Sequence, residues 1–218
     1  MAKKAGVQHR QTEESRRRIL EATLELAAER GYEGTTIALV SKRSGLPSGS
    51  VYWHFENKDS LFAALIKQSF EEWARQTGWS RESGPPSLRR LDGFLRERLT
   101  ADDFSHGFWR LGLLLSLERR MADSEARQTF LAIRRRVLDV LMQWWSVLLP
   151  DEVGARAPEL SRRLAQFTLA TSDGMFIAMA AGDEWDFQAL SDMLADALNH
   201  QVCRALREAD GATDAGRH

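Results

Sequence analysis

Apolar residues recur at helical spacing along almost the whole chain, and the alternation that marks β-strands is almost absent. Residues 13–30 carry Ile19, Thr23, Leu26 and Ala27 as one stripe. Thr12 can cap that segment, Glu13 and Glu14 suit its positive end, and Gly31 and Gly34 end it. Two short helices follow, at 37–44 and 48–54, separated by Gly45. A longer one runs over 58–73, with Asn57 as its cap. Residues 79–87 contain Gly84, Pro85 and Pro86 and read as a loop. Later helices are expected at 87–101, 105–120, 124–149, 159–181 and 187–208, and the small polar residues 209–218 read as a flexible tail. The pattern predicts an all-α protein with a small N-terminal domain over residues 1–60 and a larger helical domain over 61–208.

The two last long segments differ in pattern. Residues 159–181 are apolar on nearly every side, with Leu160, Leu164, Phe167, Leu169, Met175, Phe176, Ile177 and Met179, so that helix is expected to be buried on more than one face. Residues 187–206 carry one orderly stripe of Phe187, Leu190, Leu194, Leu198, Val202 and Ala205. Aromatic residues concentrate in the middle of the chain, and seven tryptophans are many for 218 residues. Core packing accounts for any one of them. As a set, Phe94, Trp109, Trp145 and Phe167, with Met175 and the hydroxyl of Thr171, suit a ligand-binding pocket for an apolar or aromatic molecule.

Composition narrows the classes. The net charge is −1, so any nucleic-acid surface must concentrate its cations locally. Residues 1–18 do so, with Lys3, Lys4, Arg10, Arg16, Arg17 and Arg18 against Glu13 and Glu14. A single cysteine, Cys203, rules out an intrachain disulfide, and no stretch approaches the roughly 18 apolar residues of a membrane span. A cytoplasmic protein without membrane contact is expected. His9, His54, His106, His200 and His218 show no metal-ligand spacing, and neither a phosphate-cradling glycine loop nor a nucleophile elbow is present. No metal, cofactor or catalytic residue is expected.

The informative stretch is 35–58. Two short helices meet at Gly45, where a glycine permits the positive φ of a tight interhelical turn. Val40, Leu46, Val51 and Phe55 are spaced to bury between the helices, and the second helix exposes small polar residues first, then aromatic ones. The run Ile19-Leu20, Gly31, Thr35-Thr36-Ile37, Gly45, Gly49-Ser50-Val51-Tyr52-Trp53-His54-Phe55, Lys58 and Leu61 resembles the TetR (tetracycline-repressor) family of transcriptional regulators over about residues 12–65. The family usually has alanines where Ser41 and Ser44 stand and often serine at Pro47, which is a reasonable start for a recognition helix because its missing N–H has no helical partner there.

The resemblance implies a three-helix DNA-binding domain with a helix-turn-helix, followed by a ligand-binding and dimerisation domain. It implies DNA contacts from Thr36, Ser48, Gly49, Ser50, Tyr52, Trp53, His54 and Lys58, with Tyr52, His54 and Lys58 on phosphates. It also implies a homodimer through the last two long helices, for which Leu164, Gly174, Ile177, Leu190, Leu194 and Leu198 are the candidates. The function so implied is a repressor that binds a pseudo-palindromic double-stranded DNA operator and is released by a small apolar or aromatic effector. A helical enzyme and a DNA-binding protein without ligand control are the alternatives.

Overall fold

The computed structural model describes residues 2–76, 103–117, 123–149, 151, 153 and 159–215, and these are helical with short connections. The helices are α1 (Ala2–Gly34), α2 (Ile37–Ser44), α3 (Ser48–His54), α4 (Lys58–Gln76), α5 (Asp103–Leu117), α6 (Glu125–Leu148), α7 (Leu160–Ala181) and α8 (Phe187–Ala215). The helix expected at 87–101, and Phe94 with it, lies outside the described residues. The chain divides into two compact units, Met1–Trp73 with Asp102–Ile133, and Ala74–Ala101 with Arg134–His218.

Two ends differ from expectation. α1 begins at Ala2, so Thr12 is an interior residue rather than a cap. The reason is local: residues 2–11 contain no proline and are rich in Ala, Lys, Gln and Arg, so nothing stops the helix from extending upstream of Glu13. α8 continues through the polar end to Ala215, helped by alanines and by an Arg204–Glu208 pair one turn apart.

The first unit is built on the buried residues Ile19, Leu20 and Leu26 of α1, Val40 of α2, Val51 and Phe55 of α3 and its C-cap, and Leu61, Phe62 and Ile66 of α4. Trp73, Trp109 and Phe130 extend that core as a chain of edge-on rings, with centroids 6.1 and 6.0 Å apart. In the second unit, Val137, Leu141 and Trp145 of α6, Leu164, Ala165, Leu169, Met175 and Phe176 of α7, and Leu194 and Leu198 of α8 are buried. Arg134 is ion-paired with the nearly buried Asp173 in the same unit.

Candidate nucleic-acid interface

α1 breaks at Gly31, whose φ of 68° lies in the left-handed region. The Thr35 hydroxyl then donates to the Gly31 carbonyl at 2.8 Å and closes the turn. The next residue, Thr36, is extended and caps α2, its hydroxyl accepting the Leu39 amide at 3.3 Å. α2 lasts eight residues because Gly45, with φ 68° and ψ 21°, ends it in the left-handed conformation. Ser41 locks the turn that follows. Its carbonyl accepts the Leu46 amide at 3.2 Å, and its hydroxyl donates to the Leu46 carbonyl at 2.7 Å. From α1, Arg18 donates to the Ser44 carbonyl at 2.6 Å. What the serines add over the usual alanines is the Ser41 hydroxyl bond across the turn and a Ser44 hydroxyl that donates to the Ser41 carbonyl at 3.3 Å.

Pro47 is the N-cap residue of α3, with φ −56° and ψ 148°, and its carbonyl accepts the Ser50 amide at 2.8 Å. α3 is seven residues long. It buries Val51 inward, and Phe55 closes its end, its backbone N–H donating to the Val51 carbonyl at 2.9 Å. The opposite side faces out: Ser48 and Gly49 are exposed, Tyr52 is 57% exposed and Trp53 is 69% exposed. His54 is half-buried and meets the Trp53 indole edge-on at 4.6 Å. Burial, reinforced by nearby Arg16 and opposed by Glu13, holds the His54 imidazole below its ordinary pKa. α4 starts at a reciprocal cap in which Asn57 Oδ1 accepts the Ser60 amide at 2.9 Å and Ser60 Oγ accepts the Asn57 amide at 3.2 Å.

The cations nearby are more committed than composition implies. Arg17 bonds Glu14 and Glu21, and its hydrogen bond to Glu14 holds that carboxyl below its usual range. Arg43 forks onto Glu29 at 2.9 and 3.0 Å and reaches Glu25 at 3.0 Å. Arg16 lies over the Phe55 ring at 5.5 Å. Lys58 Nζ sits 4.1 Å from the Tyr32 ring centroid and donates to the Tyr32 carbonyl at 3.2 Å. Lys42 is exposed on α2.

The other expected residues divide between the two units. Trp109 lies in the first unit, enclosed by Trp73 and Phe130. In the second unit Trp145 and Met175 are buried, Thr171 is half-buried, and Phe167 is 46% exposed. Of the candidate dimer residues, Leu164, Leu194 and Leu198 are buried within the protomer. Leu190 is half-buried, Gly174 is exposed, and Ile177 is 51% exposed. Among the described residues there is no grouping of three metal-ligating side chains, and no helix is long and apolar enough to cross a membrane.

A contact without any signal in the sequence lies behind the reading helices. Asp59, in the first turn of α4, accepts the Glu125 amide at 2.6 Å and the Ala126 amide at 3.2 Å, at the start of α6. Asp59 in a first turn suits its own helix, and that local reading hides the remote one.

A short exposed helix braced by a glycine turn against a capped partner is the helix-turn-helix of a DNA-binding regulator. The family model described as bacterial regulatory proteins, tetR family, matches residues 19–65. The fatty acid metabolism regulator protein of Bacillus subtilis is 25% identical over 195 residues, covering 83% of this chain and 91% of that protein. The HTH-type transcriptional repressor KstR of Rhodococcus jostii is 27% identical over 172 residues, 79% of this chain and 69% of that protein. The crystal structure of FadR from Bacillus subtilis in complex with stearoyl-CoA superposes with a TM-score of 0.62 at 21% identity, covering 83% of this chain and 96% of that one. Residues 19–65 thus carry the DNA-binding part of the tetR family, and the protein is a DNA-binding transcriptional regulator.

Proposed function

We propose that the protein is a repressor that binds a pseudo-palindromic operator as a homodimer and leaves it when an effector with a long apolar part occupies the second unit. The observation that carries the reading is α3. Val51 and Phe55 are buried while Tyr52 and Trp53 stand out from the same seven-residue helix. Ser48, Gly49, Ser50 and Trp53 lie where base edges would be read, and Thr36, Tyr52, His54 and Lys58 surround them as backbone ligands. Lys58 gives one hydrogen to the Tyr32 carbonyl and lies 3.8 Å from the exposed Glu33 carboxylate, which a phosphate would displace.

The two-fold partner would pack on α7. Phe167, Ala170, Gly174, Ile177 and Ala181 are exposed at alternating spacings of three and four, one stripe along that helix. An exposed apolar stripe of this kind suits a second copy better than water. Two recognition helices about 34–36 Å apart would then enter successive major grooves.

The effector site would lie among the apolar side chains of the second unit, with Trp145, Thr171 and Met175 as contributors. A ligand bound to the Bacillus subtilis relative, stearoyl-CoA, supports an acyl chain as the apolar part. Trp145 Nε1 and Ser191 Oγ are buried without a hydrogen-bond partner among the described residues, and both suit an acceptor such as a thioester carbonyl. Coupling would run through α4, because Asp59 ties that helix to the first turn of α6, which also carries Trp145. A coupling of about 1–3 kcal/mol suffices for a switch. The protein would act in the cytoplasm on DNA and would catalyse no reaction.

Genomic footprinting with and without stearoyl-CoA tests the reading. A short protected pseudo-palindrome that disappears on addition of the thioester is expected. Absence of any protected site would remove the repressor reading, and a footprint indifferent to acyl thioesters and to apolar or aromatic compounds would remove the effector.

A further inference from the structure

One cation of the second unit is only half used. Arg134 of α6 is ion-paired through Nη2 to the nearly buried Asp173 of α7. Its other terminal nitrogen, Nη1, is buried and has no hydrogen-bond partner among the described residues. A guanidinium is always protonated in a protein, so this donor cannot be silenced by losing a hydrogen. Left unpaired and out of water, it is a costly group to hold. The Asp173 bond also fixes the plane in which it points. An oxygen brought to Nη1 therefore meets a donor that is already oriented and already dry.

The residues that follow Arg134 give the shape of what would carry that oxygen. Val137, Leu141 and Trp145 succeed it at spacings of three and four, and all three are buried. Arg134 thus heads the inward stripe of α6, and Trp145 lies about three turns, roughly 16 Å, further along it. On α7, Leu169 and Ala165 stand about one and two turns from Asp173 and are buried as well. A charged end followed by a long apolar stripe is the complement of an amphiphile. Arg135 and Arg136, next in the chain, are exposed and belong to the solvated side of α6.

We infer, on the effector reading of the second unit, that Arg134 binds an anionic oxygen at the polar end of the effector, a carboxylate or a phosphate. The rest of the molecule then lies along Val137 and Leu141 towards Trp145. Asp173 is a positioning residue, because it holds the guanidinium through Nη2 and leaves Nη1 to the ligand. An ionised acceptor makes a bond about twice as strong as a neutral one, so the site should prefer an anion to an uncharged molecule of the same length.

The experiment uses the full-length protein and three ligands with one acyl chain in common: dodecanoate, dodecanoyl-CoA and the neutral methyl dodecanoate. Tryptophan fluorescence titration gives each affinity. The wild type should bind at least one anion about tenfold more tightly than the ester, and the tighter anion identifies the source of the oxygen. Arg134→Met alone would strand the Asp173 carboxylate, so the first variant is Arg134→Met with Asp173→Asn, which removes both charges together. It should bind anions and ester alike, with the ester affinity of the wild type. Arg134→Lys is the second variant. It keeps a cation for Asp173 but gives up the two-nitrogen fork, and most of the preference should go with it. Arg136→Met loses the same charge from the exposed side and should keep the wild-type preference. Circular dichroism verifies the fold of each.

Equal wild-type affinity for the ester and both anions would overturn the inference and leave the effector reading standing. So would a preference that survives in both Arg134 variants, or one that Arg136→Met abolishes equally. If the wild type binds none of the three, the inference falls together with the acyl-chain reading on which it rests.

Discussion

The carboxylate of Asp59 accepts the amide of Glu125 at 2.6 Å across 66 residues of chain, and its other oxygen takes the amide of Ala126. A helix begins with four amides that have no partner inside it. In α6 three of them find partners outside the helical ladder: two go to Asp59 and the Arg127 amide goes to Ser124 Oγ at 3.1 Å, while the Gln128 amide, on the Ser124 carbonyl at 3.0 Å, opens the ladder itself. The start of α6 is thus pinned to the helix that follows the reading head. Tyr32 joins the same group, its hydroxyl 3.5 Å from Asp59 Oδ1.

Asp59→Ala strips two of those amides of their acceptor. Loss of a helix cap typically costs about 1–2 kcal/mol, and a decrease of that size in urea-unfolding free energy is expected. Asp59→Asn keeps one acceptor oxygen and should recover part of it. Under the proposed function, the factor by which stearoyl-CoA weakens operator binding should also shrink in Asp59→Ala. An unchanged factor would place the coupling elsewhere.

Two glycines should respond in opposite directions. A Cβ on Gly112 of α5 would run into the Phe130 ring, whereas one on Gly174 of α7 would meet nothing within 4 Å. Gly112→Ala is expected to destabilise by about 1–3 kcal/mol through overpacking. Gly174→Ala gains helix propensity of up to about 1 kcal/mol. Thermal unfolding at a concentration where assembly does not change compares the two. Equal melting temperatures would contradict the close crossing at Gly112.

The turn between α2 and α3 was legible in the sequence because its causes are local: Thr36 caps, Gly45 takes a positive φ, and Pro47 starts the next helix. Asn57 was legible for the same reason. The start of α1 was not, since Thr12, Glu13 and Glu14 look like a beginning and only the absence of a breaker upstream argues otherwise. The neighbours of the buried tryptophans were still less legible. Hydrophobicity says that Trp109 is buried but not that Trp73 and Phe130 are what bury it. α7 is apolar on most sides, so its pattern could not separate inward Leu164 from outward Phe167 and Ile177.

The two tyrosines, Tyr32 and Tyr52, make an ultraviolet titration simple to read. Burial, with Asp59 and Glu33 adding negative charge nearby, pushes the Tyr32 phenol up to about 12. In Tyr52→Phe a single phenolate transition near 12 is expected in the folded protein. The sign for stability follows. Unfolded tyrosine ionises near 10, so the contribution is complete below pH 10 and is lost as pH rises toward 12. A transition at 10 in folded Tyr52→Phe would contradict the environment of Tyr32.

The last prediction separates the two faces of the C-terminal helices. Leu194 is 3% exposed within a single protomer, so Leu194→Arg places an unpaired charge in the protomer's own core and should unfold it. Ile177 is 51% exposed, and it shares its stripe with Phe167, Ala170 and Gly174. A charge there faces water in the monomer, so Ile177→Arg should leave helical content intact. In a dimer packed on α7 the same charge meets its symmetry mate across the two-fold axis, where desolvation and like-charge repulsion act together. Light scattering should therefore show Ile177→Arg as a folded monomer where the wild type is a dimer. Operator affinity should fall with it, because one recognition helix alone reads one half-site. If Ile177→Arg remains dimeric, the partner does not pack on this stripe. If the wild type is itself a monomer at micromolar concentration, the two-fold arrangement fails.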